Sequence, residues 1–530
     1  MQEKITQTFS RISRFIDTYF ILFAFFLSLI ATIISYETHV SLAYNDAMSH
    51  LNISRFVIDN LQPGFAQLGG VWPPLSHVLP LVFIWNDFMW HSGLAASIFS
   101  MISYIISAYA LYGAIKILTK NTFAAIAGGA IFALNANILY LQTTPLTEPL
   151  YVVFFSLSIF CFAYWITKHD ERFILLLGIL GFFQVLTRYD GWFVTFWESI
   201  LIVGYDIYVR KNRLTTTLAK LLLYAFPVVF GVTLWLLWNT LIFKNPLFFA
   251  IGPYSAHAQQ SYLQTNASLI TKHSLPISVI AYWYAMTDNI GLPIMILVGI
   301  GTYLLLMSKS YSLLTKCVLI LFLESPIIFN ILSLYLGFSI INVPELHWNP
   351  SRTISGEWFN VRYGIFILPL AAVMVGYVAQ LSRKIALGVI VIAILQLISF
   401  FPNNVITVTD GLMGSSSFYN KDIATFLQQH VRRSDYVLLS VSYFNPVAFK
   451  SGIDLHQIVH EGVEKEWGPS LGNPEEYANW IVMSNGKTGD PVYDALIIRN
   501  RSYFTKDYVL AYKGIHANVY KLKLPQLARR

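Results

Sequence analysis

The sequence predicts a polytopic α-helical membrane protein of about eleven transmembrane helices, with amphipathic helices in the first outer loop and a small C-terminal soluble α/β domain. Three observations carry this expectation. Of 530 residues, 55% are hydrophobic and only 12% are charged, against about 25% charged in a soluble domain. The apolar residues fall in long runs separated by short basic loops. After Phe401 the character changes to mixed polar residues with short β-type runs.

A membrane-crossing helix needs about 20 mostly apolar residues. That length places spans near 18–35, 93–115, 122–140, 146–167, 172–187, 190–209, 215–240, 277–307, 315–340, 361–380 and 384–401. Lys4, Arg11 and Arg14 precede the first run, which puts the N-terminus on the cytoplasmic side. Lys116/Lys120, Lys168/Arg172, Arg210/Lys211/Arg213, Lys309/Lys316 and Arg383/Lys384 then share that side. No small-residue cleavage site follows the first run, so it reads as a retained helix. The net charge of +7 sits mainly in these loops and reads as topology rather than nucleic-acid binding. Cys161 and Cys317 both fall inside apolar runs, which supports neither a disulfide framework nor a thiolate metal site.

The first outer loop, 36–92, contains a short apolar stretch, Leu75–Phe88, opened by Trp72-Pro73-Pro74 and closed by Asn86, Asp87 and His91. At about fourteen residues it is too short to span and reads as an interfacial or re-entrant element. Upstream, Ala47, His50, Leu51, Ser54, Val57 and Ile58 recur at helical spacing opposite Asn52, Arg55 and Asp59. This predicts an amphipathic surface helix beginning at Asp46, with Asp46 as its N-cap, and ending by Pro63-Gly64. The domain boundaries follow: 1–401 is the membrane domain and 402–530 a non-cytoplasmic soluble domain, folded over roughly 410–525. Within it, Tyr436–Val441, Asp494–Ile498 and Asn518–Leu522 read as strands and Asp422–Val431 as a helix. His456, His460 and Glu461 have metal-like spacing, but two histidines without a third placed ligand read better as a solvated helix face.

On this topology all the candidate polar clusters lie on one side of the membrane: Asp46 and His50, His77, Glu148, Arg188-Tyr189-Asp190, Lys244, and Arg352, Glu357, Arg362 and Tyr363. Polar residues at membrane depth are costly and point to function.

These motifs and their order resemble the GT-C superfamily of integral-membrane glycosyltransferases, which includes protein O-mannosyltransferases and lipid A aminoarabinose transferases. The resemblance rests on Asp46 early in the first outer loop, Trp72-Pro73-Pro74-Leu75, Glu148 at the next outer turn, and Thr187-Arg188-Tyr189-Asp190-Gly191. Lys244-Asn245-Pro246-Leu247-Phe248-Phe249 and Asn360-Val361-Arg362-Tyr363-Gly364 complete it. It implies sugar transfer from a polyprenyl-phosphate donor to a lipid, glycan or protein acceptor on the outer face, with inversion. Asp46 would be the general base and Glu148 the second catalytic acid. His50, His77, Arg188, Tyr189, Lys244, Arg352, Arg362 and Tyr363 would line the substrate site. Arg362 is the first choice for the phosphate because a guanidinium matches phosphate oxygens as a fork. Arg188 and Asp190 also read as an ion pair bracing their turn. Asp46 and His50, four residues apart, could orient one another or hold a divalent metal, and the cofactor stays open between a metal and none. Gly70-Val71-Trp72 stands where the aminoarabinose branch has an acid and a lysine, so the lipid-phosphate contact must come from elsewhere.

Two other readings compete. A transporter or flippase is disfavoured by the lack of a charge in the middle of the long spans and of paired broken helices. An interaction protein, anchored by its membrane part, would not need eleven spans. The expected location is the plasma membrane.

Overall fold

The computed structural model describes residues 2–252, 255, 258, 269–346, 358–400, 405–414, 420–486, 489–499 and 501–523. Seven helices in it are long and apolar enough to cross a membrane: Asp17–Glu37, Leu94–Thr119, Glu148–Lys168, Asp190–Val209, Leu214–Phe243, Val361–Ala379 and Arg383–Phe400. Two further pairs pass the test together but are bent, Leu275–Ile290 with Leu292–Met307 by 106° and Leu313–Leu323 with Ser325–Leu336 by 53°. The expected eleven is therefore seven, or nine if each bent pair is one span. The other two expected spans are the shorter helices Thr122–Ala133 and Arg172–Thr187, of 12 and 16 residues. At 1.5 Å per residue these fall short of a hydrocarbon core of about 30 Å.

Local chemistry sets these boundaries. Asn121 caps the 122–133 helix by accepting from the Phe123 and Ala124 amides at 2.9 and 3.2 Å. Asn135, accepting from Ile138 N at 3.0 Å, then starts a separate short helix, Ala136–Leu141. Gly291 breaks the 275–307 run, because its φ of 76° is open to glycine at little cost. Pro293 follows at the start of the next helix.

The chain divides into two compact units. One comprises Met1–Ser41, Gly70–Ser76 and Ser97–Gly414; the other comprises Leu42–Gly69, His77–Ala96 and Ser415–Arg530. Within the first, Val361–Ala379 is the central helix, with 94% of its apolar window buried, whereas Arg383–Phe400 is peripheral, at 17%. Leu214–Phe243 presents Leu222 and Phe226 outward, the pattern of a lipid-facing helix. At its inner side the backbone of Tyr224 comes so close to Gly178 that any Cβ there would collide with the Tyr224 carbonyl. Ion pairs fasten one end of this group: Lys220 meets Asp206 at 2.7 Å and Glu171 at 3.0 Å, and Arg210 meets Glu171 at 2.5 Å.

The second unit is built on a five-stranded sheet of β1 (Val437–Leu438), β2 (Ile458–Val459), β3 (Trp480–Ser484), β4 (Tyr508–Lys513) and β5 (Ala517–Leu522), in the order β2-β1-β3-β5-β4. β1 runs parallel to β2 and β3; β5 runs antiparallel to β3 and β4. Alternate residues feed opposite faces. Val437, Trp480, Val482 and Val519 enter one core with Met48, Leu51 and Phe56 of the Asn45–Phe56 helix and with Ile84 and Trp90. Leu438, Val459, Ile481 and Met483 enter the other with Leu496, Phe504 and Tyr508. The Lys421–His430 helix lies where the sequence puts one. The expected strand at 494–498 is instead a helical turn, Asp494–Arg499. Asp490 caps the turn that leads into it, accepting from Val492 N at 3.0 Å, and this local start overrides the β-type side chains.

Candidate active site

Glu148 opens the Glu148–Lys168 helix, with Pro149 behind it in the first turn. Its carboxylate is almost wholly enclosed, at 1% exposure. Two guanidinium groups share its Oε1: Arg188 donates from Nη1 at 3.1 Å and Arg362 from Nε at 3.0 Å. Each arginine reaches this point from the end of a helix. Arg188 is extended, at φ −152° and ψ 154°, between the end of one helix at Thr187 and the start of the next at Asp190. Arg362 lies in a tight turn, Val361–Ile367, entered through Asn360 in the left-handed region. The Asp410 carboxylate accepts from the Asn360 amide at 3.1 Å and so holds this entrance.

The remaining valences are organised around these groups. Arg188 Nε donates to Asp190 Oδ2 at 2.9 Å, and its Nη1 also donates to Thr147 Oγ1 at 2.9 Å. Tyr363 lies under both cations, its ring centroid 5.1 Å from each guanidinium carbon, and Phe366 receives Arg188 at 5.2 Å. Burial disfavours the charged form of Arg188, but the Asp190 and Glu148 carboxylates outweigh it and raise the group above its ordinary value. Glu148 Oε2 accepts no hydrogen bond among the described residues. The cluster thus presents two oriented guanidinium groups, balanced by acids, at the start of membrane-crossing helices. This is a setting that binds an oxyanion by charge-assisted hydrogen bonds.

Other expected site residues have different surroundings. Tyr189 turns away from the cluster: its hydroxyl donates to Val71 O at 2.6 Å, Trp235 Nε1 donates to it at 3.2 Å, and its ring stacks on Phe249 at 5.1 Å. It braces the Gly70–Val71 strand of chain. Lys244 is exposed and donates to Leu241 O at 2.8 Å, closing the C-terminus of its own helix. Arg352 and Glu357 lie outside the described residues.

Asp46, His50 and His77 belong to the second unit. Asp46 is half-buried in the first turn of the Asn45–Phe56 helix, where a carboxylate suits the helix dipole. It is not the N-cap, contrary to the sequence expectation, because Tyr44 occupies that place. Nor is this helix a simple surface element: Asn52, expected on its polar face, is fully buried. Asn52 Nδ2 donates to Asn445 Oδ1, and Asn445 Nδ2 to Ser49 Oγ, each at 2.8 Å. His50 Nδ1 and His77 Nε2 are 2.8 Å apart and both rings are buried. Burial, and secondarily His50, hold His77 well below the ordinary histidine range, so it is neutral at neutral pH.

No group of three or more His, Cys, Asp or Glu side chains placed to hold a metal occurs among the described residues. His456 and His460 do not share a helix face: His456 Nδ1 meets Asp59 at 2.8 Å, whereas the buried His460 stacks on Phe56 at 4.5 Å. Sequence reasoning missed Asp410, which lies just beyond the last apolar run and carried no local signal. It also missed Glu198, which is fully buried within the Asp190–Val209 span. The expectation that no charge falls in the middle of a long span is therefore corrected. A single acid within an apolar run was the available signal.

This arrangement of helices with a small α/β unit is a GT-C-like fold. ArnT from Cupriavidus metallidurans, in a crystal structure bound to undecaprenyl phosphate, matches it with a TM-score of 0.59 at 11% identity, over 95% of this chain and 98% of that one. The archaeal oligosaccharyltransferase AglB from Archaeoglobus fulgidus, in complex with an inhibitory peptide and a dolichol-phosphate, aligns at 10% identity over 89% of this chain and 70% of that one, with a TM-score of 0.49. No family model and no curated protein sequence matches the chain. The similarity to ArnT is one of fold.

Proposed function

We propose that this integral membrane protein is a glycosyltransferase that moves a sugar from a polyprenyl-phosphate donor to an acceptor on the non-cytoplasmic face of the plasma membrane. The observation that carries the proposal is the pair of guanidinium groups, Arg188 and Arg362, converging on one Glu148 oxygen within the fold that ArnT displays with undecaprenyl phosphate. In this reading Arg362, steadied by Tyr363, takes the donor phosphate, and Arg188 supports it. Asp46 removes the acceptor's hydroxyl proton as that oxygen attacks the anomeric carbon. The bond from that carbon to the phosphate oxygen breaks, and the polyprenyl phosphate leaves with the electron pair. Glu148 orients the two arginines. The cytoplasmic N-terminus and the outer C-terminal domain, 402–530, belong to the same proposal.

Arg362→Ala is expected to weaken polyprenyl-phosphate binding about 10- to 100-fold, the worth of a hydrogen bond to a charged group. It would be read as loss of the thermal shift that the lipid produces in detergent. An unchanged shift places the phosphate elsewhere. Asp46→Asn should abolish sugar transfer while leaving folding and membrane insertion intact; full activity would remove Asp46 as the base.

Two observations favour the transporter reading more than the sequence does: the 106° break at Gly291 and the mid-span Glu198. Reconstituted vesicles separate the readings. Release of polyprenyl phosphate together with sugar on the acceptor supports the transferase, and movement of intact lipid-linked sugar without transfer supports the transporter.

A further inference from the structure

Glu198 takes no part in the cluster above and has a chemistry of its own. It lies near the middle of the Asp190–Val209 span, on the inward face with Asp190, Gly191, Val194 and Thr195. Its Oε2 is 2.7 Å from the Tyr224 hydroxyl of the Leu214–Phe243 helix. The same hydroxyl is 2.9 Å from the Thr195 carbonyl oxygen. A phenol has one hydrogen to donate, and a carbonyl can only accept. Once Tyr224 donates to Thr195, the short contact with Glu198 requires a hydrogen from the carboxyl group itself. No lysine, arginine or histidine pairs with Glu198 among the described residues. A bare carboxylate at this depth, with no cation, costs far more than a neutral acid.

We infer that Glu198 is a proton-binding site, a neutral carboxylic acid at neutral pH that donates a hydrogen bond to Tyr224 and clasps the two helices together. Its second oxygen, Oε1, has no partner among the described residues, and the same holds for Tyr151 Oη, Asp190 Oδ1 and Gln184 Oε1, all buried. Tyr151 interacts electrostatically with both Asp190 and Glu198. Buried polar atoms of this kind are satisfied by ordered water. The ligands of the site are therefore a proton and the water molecules that link Glu198 past Tyr151 toward Asp190. The titratable groups facing Glu198 are Tyr224 from one helix and Tyr151 and Cys161 from another. None of these is a base that would take its proton at neutral pH.

Infrared spectroscopy of the full-length protein in detergent tests this without reference to sugar transfer. At neutral pH the wild type should show a protonated-carboxyl carbonyl band that Glu198→Gln removes and that Tyr224→Phe shifts upward by loss of the hydrogen bond. In heavy water the band should move down, as hydrated acid does. Carboxyl-labelled glutamate in the wild type supplies the same assignment should the Gln variant not fold. Absence of a protonated glutamate band, or loss of carboxylate bands instead in Glu198→Gln, overturns the neutral acid. A band that refuses exchange overturns the water link.

Discussion

Glu148 and His460 illustrate how much depends on single buried groups. Glu148 is shared by two guanidinium groups at 2–3% side-chain exposure for Glu148 and Arg362, so removing it leaves two cations without their common partner. Glu148→Ala is expected to destabilise the protein by about 3–5 kcal/mol, read as a lowered melting temperature in detergent. Glu148→Gln, which keeps an acceptor oxygen, should lose less. Equal stability of all three proteins would show that the arginines are held by other groups. His460 is the second case. Burial lowers it to about 4, and Glu461 opposes this only in part. Between its ordinary value near 6.5 and about 4, the unfolded chain binds a proton that the folded chain refuses. Stability is therefore expected to fall as pH drops through that window. Asp490, pushed up to about 6 by burial, acts in the opposite sense, so the informative measurement is the difference from His460→Gln. The variant should lose less stability than the wild type between neutral pH and pH of about 4, and identical pH dependence would exclude His460 as the cause.

At the level of elements, close helix approach and a polar clasp set the arrangement. The Arg172–Thr187 and Leu214–Phe243 helices meet where Gly178 faces the Tyr224 backbone. Gly178→Ala should force them apart and cost about 1–3 kcal/mol, typical of overpacking, again seen in the melting temperature. An unaltered value would mean that the helices yield without loss. In the second unit, Asn445 holds the Asn45–Phe56 helix through Asn52 and Ser49. Arg55 ties the same helix to Asp87 at 2.7 Å and to the Ile84 carbonyl at 2.9 Å. Asn445→Ala removes both amide contacts and leaves Asn52 buried, and is expected to speed amide hydrogen exchange across 45–56 by one to two orders of magnitude, equivalent to about 1–3 kcal/mol. Exchange at the wild-type rate would show that the apolar contacts of Met48, Leu51 and Phe56 suffice.

At the scale of the molecule, two segments 381 positions apart in sequence complete one core: the helix that ends at Phe56 and the strands that begin at Val437. The membrane class, the long spans and a small C-terminal sheet were legible because apolar runs and their lengths are local properties. Glu148, Arg188, Arg362 and Tyr363 were legible as polar residues at span ends, where exposing or burying charge is costly. The convergence of the first three on one carboxylate oxygen was not, since Glu148 and Arg362 stand 214 positions apart. Tyr189 looked like part of the same site only because it neighbours Arg188; its packing on Phe249 and Trp235 directs it elsewhere. The capping role expected of Asp46 failed for a related reason, because the backbone turns helical two residues earlier than a cap at Asp46 requires. The 122–140 run reads as one span on composition, yet Asn135 starts a separate helix within it, a break that only the folded backbone reveals. By itself the sequence determined which segments are long and apolar and which are polar, because hydrophobicity and charge act residue by residue. The tertiary structure alone decided which buried charges meet, because pairing distant ionisable groups depends on how helices pack, and packing is a property of the whole chain.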